Sequence, residues 1–396
     1  MHVSPAPAAT TDRIWLLDQL RGFALLGIVL VNVPFLGLTN AGLTAEVATT
    51  PLDATVAFLI VTLAQGKFYL LFAFLFGYSA ALLLRDDGRP RRAAYARRML
   101  GLFVLGALHA VFFFIGDILM SYAVLGMLLL VFVRRLTRTL IVTAASSLVL
   151  AAGVLVLVVL DALESGITDA GIVLSPAEFD RVLAEGSFVE AAAGRLAVLP
   201  EALLFQVAVN WLPAFAMFAL GIAAARTALF SAPERFTRVW RRMIVIALVV
   251  GLPLAALSGW LQVISTDPAG IDQVLGVALG FMAAPALTIG YVGAFALLTS
   301  TRWARGFAPA GKASLSIYLA ESVILSAVFC GWGLGLFGEV SVAGAAAIAI
   351  ATWVVLDAAA ALWLRRHRYG PMEYLLRWFT TLRHPVSAVG SSVTES

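Results

Sequence analysis

The chain has 396 residues, 61% of them hydrophobic and only 13% charged, with a mean hydropathy of +0.96. An ordinary soluble domain carries roughly 25% charged residues, so a water-soluble core is excluded. The net charge of +4 is spread over short loops rather than one basic face, which argues against a nucleic-acid partner and for contact with membrane lipids.

Apolar runs of about 20 residues, each long enough to cross the ~30 Å hydrocarbon layer as a helix, recur along the whole chain. Bounded by charges, they predict spans at residues 20–38, 66–84, 98–115, 118–133, 139–160, 202–224, 243–263, 274–299, 314–336 and 341–363. The fold class that follows is all-α: a polytopic transmembrane helical bundle of about ten spans, one domain over residues 1–385. The first run is entered through Asp18 and Arg21 and continues without a small-residue cleavage site, so it reads as a retained helix rather than a secretory signal. Residues 53–64 read either as an interfacial helix or as the outer end of an overlong second span. Residues 161–201 form an acidic loop in which Ser175-Pro176-Ala177-Glu178 has the pattern of a short helix start. After His384 the periodicity stops, and residues 386–396 read as a disordered tail.

Orientation follows from the basic residues, which gather on the cytoplasmic side of membrane spans. With the N-terminus inside, Arg85, Arg97 and Arg98 share one inner loop, Arg134, Arg135 and Arg138 the next, and Arg365, Arg366 and Arg368 open the tail. Of the 27 basic residues only Lys67, Arg181 and Arg195 fall on or near the other side. Both termini are therefore expected in the cytoplasm and the acidic loop outside.

Ionisable groups at bilayer depth cost several kcal/mol unless paired or hydrated, which makes them functional candidates. On the first span Asp18, Arg21 and Asn32 share one face, with Asp18 and Arg21 spaced to pair. Lys67 opens the second span, where it either snorkels to the outer interface or faces a site. His109 lies in the outer half of the third span, followed by Asp117. Such a histidine either packs through a hydrogen bond or, with a carboxylate fixing its tautomer, moves a proton. In the ninth span Tyr318 and Glu321 fall on one face, and Arg21 lies at a depth that suits Glu321 as a partner. Asp357 reads as a structural carboxylate near the inner end of the tenth span.

The single cysteine, Cys330, excludes an intrachain disulfide and a cysteine-based metal site. No P-loop, zinc-ligand spacing, dinucleotide glycine pattern or nucleophile elbow occurs, and no metal is expected.

Five blocks in order, LDQLRGFALLGIVLVN, GKFYLLFAFLFGYS, ARRMLGLFVLGALHAVFFFIGDILMSYAVLG, GKASLSIYLAES and YGPMEYLLRWFT, cover nearly the whole chain and resemble the bacterial YeiB-like proteins, the domain of unknown function 418 family, whose C-terminal family region would be residues 226–385. Through Asp18-x-x-Arg21-Gly22 the family is similar to transmembrane acyltransferases that include the lysosomal heparan glucosaminide acetyltransferase. The resemblance implies a multi-pass protein of the bacterial plasma membrane. It also implies transfer of an acyl group from a cytoplasmic donor such as acyl coenzyme A to a glycan or lipid acceptor outside, with His109 as acid/base. On that reading Asp117 assists His109, Asn32 or Lys67 stabilises the developing oxyanion, and Arg97, Arg98 and Arg377 receive the anionic donor. Tyr318-Leu-Ala-Glu321 departs from the family, which more usually has glutamine in place of the glutamate. A transporter or flippase with the same polar path, and a structural or regulatory membrane protein, remain the alternatives.

Overall fold

Within hydrocarbon a peptide group has no water to bond, so spanning segments must satisfy their own N–H and C=O groups. The computed structural model, which describes residues 15–40, 42–44, 47–85, 89–165, 175–266 and 270–381, does so with helices alone, and no strand occurs among those residues. The expected tail at 386–396 and the middle of the acidic loop lie outside the described residues.

In chain order the helices are α1 (Trp15–Gly37), α2 (Pro51–Leu59), α3 (Lys67–Leu83), α4 (Arg89–Phe112), α5 (Leu119–Phe132), α6 (Thr137–Ser165), α7 (Pro176–Glu185), α8 (Phe188–Phe205), α9 (Trp211–Ala225), α10 (Thr237–Ile246), α11 (Leu252–Gly259), α12 (Ile271–Leu298), α13 (Arg302–Gly306), α14 (Ala308–Lys312), α15 (Ser314–Phe329), α16 (Val342–Trp363) and α17 (Pro371–Thr381). Wider π-helical turns at Ile60–Ala64, Gln206–Asn210, Ala247–Gly251 and Trp260–Ile264 extend α2 or join α8 to α9, α10 to α11 and α11 to the 265 loop. Eight of the resulting helices are long and apolar enough to cross a membrane, and α5 and α15 are shorter apolar helices. Their outward faces carry exposed Val149, Leu157, Leu204 and Val249, the reverse of a soluble surface and suited to lipid tails.

Several boundaries differ from the sequence reading: α4 starts at Arg89 rather than 98, α10 at Thr237 rather than 243, and α15 ends at Phe329 rather than 336. The sixth apolar helix begins at Phe188 rather than near residue 202, and runs through the π-helical turn to Ala225. Glu190 at its start obscured this, because a carboxylate reads as loop even when, as here, it closes a capping box with Ser187. Residues 53–64 belong with α3 in one overlong apolar stretch, Pro51–Leu83, the second of the two readings, though not as one straight helix. The helix breaks at Gln65-Gly66, where Gly66 takes φ +80°, a left-handed conformation that a side chain disfavours.

The Ser175 start has the expected form. Ser175 and Glu178 make a reciprocal capping box at the head of α7, and hydrogen bonds from the Ser175 backbone and hydroxyl hold the Glu178 carboxyl below its ordinary pKa. Helix α7 lies across the end of α1, where Asp180 accepts from Thr39 Oγ1 (2.7 Å), Asn40 N (2.9 Å) and Asn40 Nδ2 (2.7 Å).

Helices α3 and α9 meet through reciprocal glycines, the small-residue packing that lets backbones approach in a membrane. A Cβ on Gly77 would stand 2.1 Å from Phe218 O, and one on Gly221 2.1 Å from Phe74 O. Gly221→Leu is therefore expected to destabilise the bundle by about 3 kcal/mol through overpacking, read as a lower midpoint in a fluorescence-detected thermal melt. Gly153→Leu, on an open face of α6 with nothing within 4 Å, should leave the midpoint in place.

Candidate functional site

Helix α4 carries His109 on its last turn. The amides of Phe113 and Phe114 both donate to His109 O at 2.9 Å, which closes the helix and turns the chain back. The turn over residues 113–118 brings Asp117 beneath the imidazole, and its two oxygens divide the work. Oδ1 accepts from Met120 N at 3.0 Å, capping the start of α5 as an N-terminal carboxylate should. Oδ2 lies 2.7 Å from His109 Nδ1. Gly106, one turn before His109, makes the approach possible, since a Cβ there would sit 2.6 Å from Asp117 Oδ1.

Further contacts fix the aspartate. Tyr318 on α15 donates its hydroxyl to Asp117 Oδ2 at 3.2 Å and accepts from Ile118 N at 3.3 Å. Gln206 donates Nε2 to Asp117 O at 2.8 Å, and its Oε1 accepts from Ser121 Oγ, which accepts in turn from Trp211 Nε1. His109, Asp117, Gln206 and Tyr318 are all buried. An ionised carboxylate only accepts, so Asp117 assigns the imidazole proton to Nδ1 and leaves the lone pair on Nε2. Nε2 is buried and makes no hydrogen bond. A buried acceptor without a partner is costly, and here it is also the atom able to take a proton from a substrate.

The remaining candidates sit on α1, α3, α4, α15, α16 and α17. Arg21 Nη1 meets Asp18 Oδ1 at 3.1 Å, as their spacing suggested, and Arg21 Nη2 reaches Ser79 Oγ. Arg21 and Glu321 are not paired. Glu321 is buried, and its Oε1 has no hydrogen-bond partner. Asn32 is half-buried on α1, which packs along the helix of Tyr318. Asp357 Oδ1 accepts from Ala310 N at 2.8 Å.

Lys67 is 0% exposed and neither snorkels nor joins the dyad: its Nζ turns across the helix break to Val61 O at 2.9 Å. Tyr291 donates to Leu63 O on the same broken end. The ammonium thus satisfies a carbonyl that the π-helical turn leaves without its α-helical donor. Lys67→Met, of similar length but without a donor, is expected to lower stability by about 1–3 kcal/mol, and a thermal melt against wild type measures it.

Among the arginines, Arg98 lies within electrostatic reach of Arg21, Arg377 and Glu373, a net positive group. Arg377 also stacks over Tyr369, with its guanidinium 4.2 Å from the ring centre. Arg97 donates twice to Thr380 O, at 3.0 and 2.9 Å, and so caps the C-terminal end of α17. At the same arginine-rich end a cavity of about 600 Å³ is lined by Arg85, Arg134 and Arg226. The sequence assigns Arg85 and Arg134 to topology alone, and nothing in the spacing of the three marks them as neighbours. Gln206 was missed as well. Its signal was a lone amide within an apolar run, which bilayer energetics would have flagged. Among the described residues no group of three metal-ligating side chains occurs.

Residues 224–383 match the family described as "Protein of unknown function (DUF418)". The chain is also similar to "Uncharacterized protein YxaH" of Bacillus subtilis (strain 168), at 29% identity over 402 residues, covering 95% of this chain and 96% of that one. It is 28% identical over 380 residues to "Uncharacterized protein YeiB" of Escherichia coli (strain K12), covering 92% and 95%. A "39.9 kDa protein in amylase 3'region" of Bacillus acidopullulyticus is 26% identical over 399 residues, covering 94% and 95%.

Proposed function

From a chain that is YeiB-like along nearly its whole length, we propose a membrane-embedded acyltransferase of the bacterial plasma membrane with both termini in the cytoplasm. It moves an acyl group from a cytoplasmic thioester donor to a hydroxyl or amine on the outer side. The observation that carries the reading is the buried His109–Asp117 pair at 2.7 Å with Nε2 left without a partner.

In the reaction the acceptor O–H or N–H gives its proton to His109 Nε2 as the freed lone pair attacks the thioester carbonyl. Asp117 steadies the imidazolium, and Tyr318 and Gln206 hold Asp117. The carbon–sulfur bond then breaks, and the imidazolium returns its proton to the leaving sulfur. Such acid–base assistance accounts for roughly 10²–10⁴ in rate. Arg98, with Arg21 and Arg377 near it, suits the phosphates of an acyl coenzyme A, because arginine is matched to phosphate in geometry and charge. From Arg98 to His109 is eleven residues of helix, about 16 Å, a depth for the donor's pantetheine arm to reach. Lys67 is committed to Val61 O, which leaves Asn32 as the oxyanion candidate.

A flippase or transporter is the second reading, and the break at Gln65-Gly66 favours it, since discontinuous helices mark transport sites. The test is incubation of the purified chain in lipid with a panel of labelled acyl coenzyme A donors. Covalent label on a lipid or glycan supports transfer. Solute flux across proteoliposomes with no donor consumed supports transport and sinks the enzyme.

A further inference from the structure

Arg195 is 2% exposed, lies two turns into α8, and has no carboxylate partner among the described residues. Its Nη1 donates to Phe112 O at 3.1 Å and its Nη2 to Cys330 Sγ at 3.3 Å, a carbonyl and a thiol. A desolvated guanidinium without an anion is expensive, by several kcal/mol even after relaxation. Capping α4 does not explain the expense. The neighbouring carbonyl, Phe113 O, is satisfied by the neutral hydroxyl of Ser326 at 2.7 Å, and a neutral donor would serve Phe112 equally well.

The guanidinium also lines a cavity. It shares the walls with Asn40, Phe35 and Phe114, and α7 supplies the ceiling through Phe179 and Leu183. The open volume is about 10 Å³, room for a single water. Phe114 lines this cavity and also meets the dyad: its ring makes an edge contact with that of His109, 6.5 Å between centres, and is backed by Gly116, where a Cβ would come within 2.6 Å of Phe114 Cζ. Helix α7 is pinned over the cavity by Asp180 at the end of α1 and by Leu183 O, which accepts from Gly331 N at 2.9 Å.

We propose that Arg195 is an anion subsite for the acceptor, binding a phosphate group that displaces α7 from over the cavity, which in its closed form holds no more than one water. The want of a negative charge among the described residues, the cavity beside the guanidinium and the Phe114 ring that meets both cavity and imidazole all point to that class of ligand. That the bound molecule then presents a hydroxyl to His109 rests on the acyl-transfer reading; the anion subsite itself does not. Phosphate reaches such a place either on a lipid headgroup or as a soluble ester.

The test is native mass spectrometry of the full chain in detergent, offered dioleoyl phosphatidylglycerol or dioleoyl phosphatidylcholine. Wild type should hold its first phosphatidylglycerol at least tenfold more strongly than phosphatidylcholine. Arg195→Gln should bring the ratio close to one, and His109→Ala should leave it intact even though transfer is lost. Should Arg195→Gln not fold, Leu183→Asp sets a carboxylate in the same cavity and should erase the ratio in its place. Excess glycerol 1-phosphate displaces the lipid if the phosphate group alone is read, and fails to do so if the chains are also needed. Equal retention of the two lipids by wild type overturns the proposal, as does a preference that survives both substitutions. A lipid preference kept alongside a His109→Ala variant of undiminished transfer rate would retain the anion subsite and remove the catalytic reading.

Discussion

His109→Ala is expected to lower acyl transfer by about 10²–10⁴, the full share of general acid–base catalysis. The acceptor hydroxyl is a poor nucleophile until it loses its proton, and among the described residues Nε2 of His109 is the one imidazole nitrogen that the bundle buries without a hydrogen-bond partner. His109→Gln should fare no better, because an amide oxygen accepts a hydrogen bond and holds no proton. The loss is separable from unfolding. Asp117 keeps the Met120 amide and the Tyr318 hydroxyl as donors when the imidazole is gone, so the thermal midpoint should fall only modestly. Added imidazole should restore part of the rate by filling the vacated volume. A variant that transfers label at the wild-type rate would eliminate His109 from the chemistry.

Asp117→Asn is expected to cost nearly as much, about 10²–10⁴ in kcat, while changing shape least. Asparagine keeps Oδ1 for the Met120 amide, so the start of α5 stays capped. Its Nδ2 then faces His109 Nδ1 and donates where Asp117 accepted. The imidazole responds by moving its proton to Nε2, which turns the base into a donor at the position where it must accept. The nitrogen-15 shifts of His109 should report that exchange of tautomers directly, and KM for the donor should stay within a few fold. Unaltered kcat in Asp117→Asn would assign the aspartate to capping α5 and nothing more.

The helical bundle was legible from apolar run length alone, because a bilayer demands continuous helices and shows the demand in every segment. The His109–Asp117 pair was legible as a pair of residue types, eight apart and both stranded in apolar sequence. Its geometry was not, since helical spacing does not foretell the turn that folds Asp117 back under the ring. The Lys67 contact was illegible for a related reason: the sequence marks Gly66 but not the break, and without the break there is no carbonyl for the side chain to reach. Arg195 went unweighed because Glu190 and Glu201 on either side made an apolar helix resemble a loop. The arginine-lined cavity is formed by the ends of α3, α5 and α9, which come together only through tertiary packing.

The π-helical turn Gln206–Asn210 joins two stretches that mesh with different neighbours. Below it, Gly221 of α9 is locked against α3; above it, α8 lies on α4 and sends Arg195 to the end of that helix. One extra residue wound into such a turn shifts rotational phase by about 100°. Gln206 stands at the shift, aimed at Asp117 O. The two stretches are therefore geared apart: the phase of one is set by glycine contact with α3, that of the other by the dyad, and neither dictates the other. Shortening the turn by one residue would leave the hydropathy profile unchanged and still swing the amide away from the aspartate.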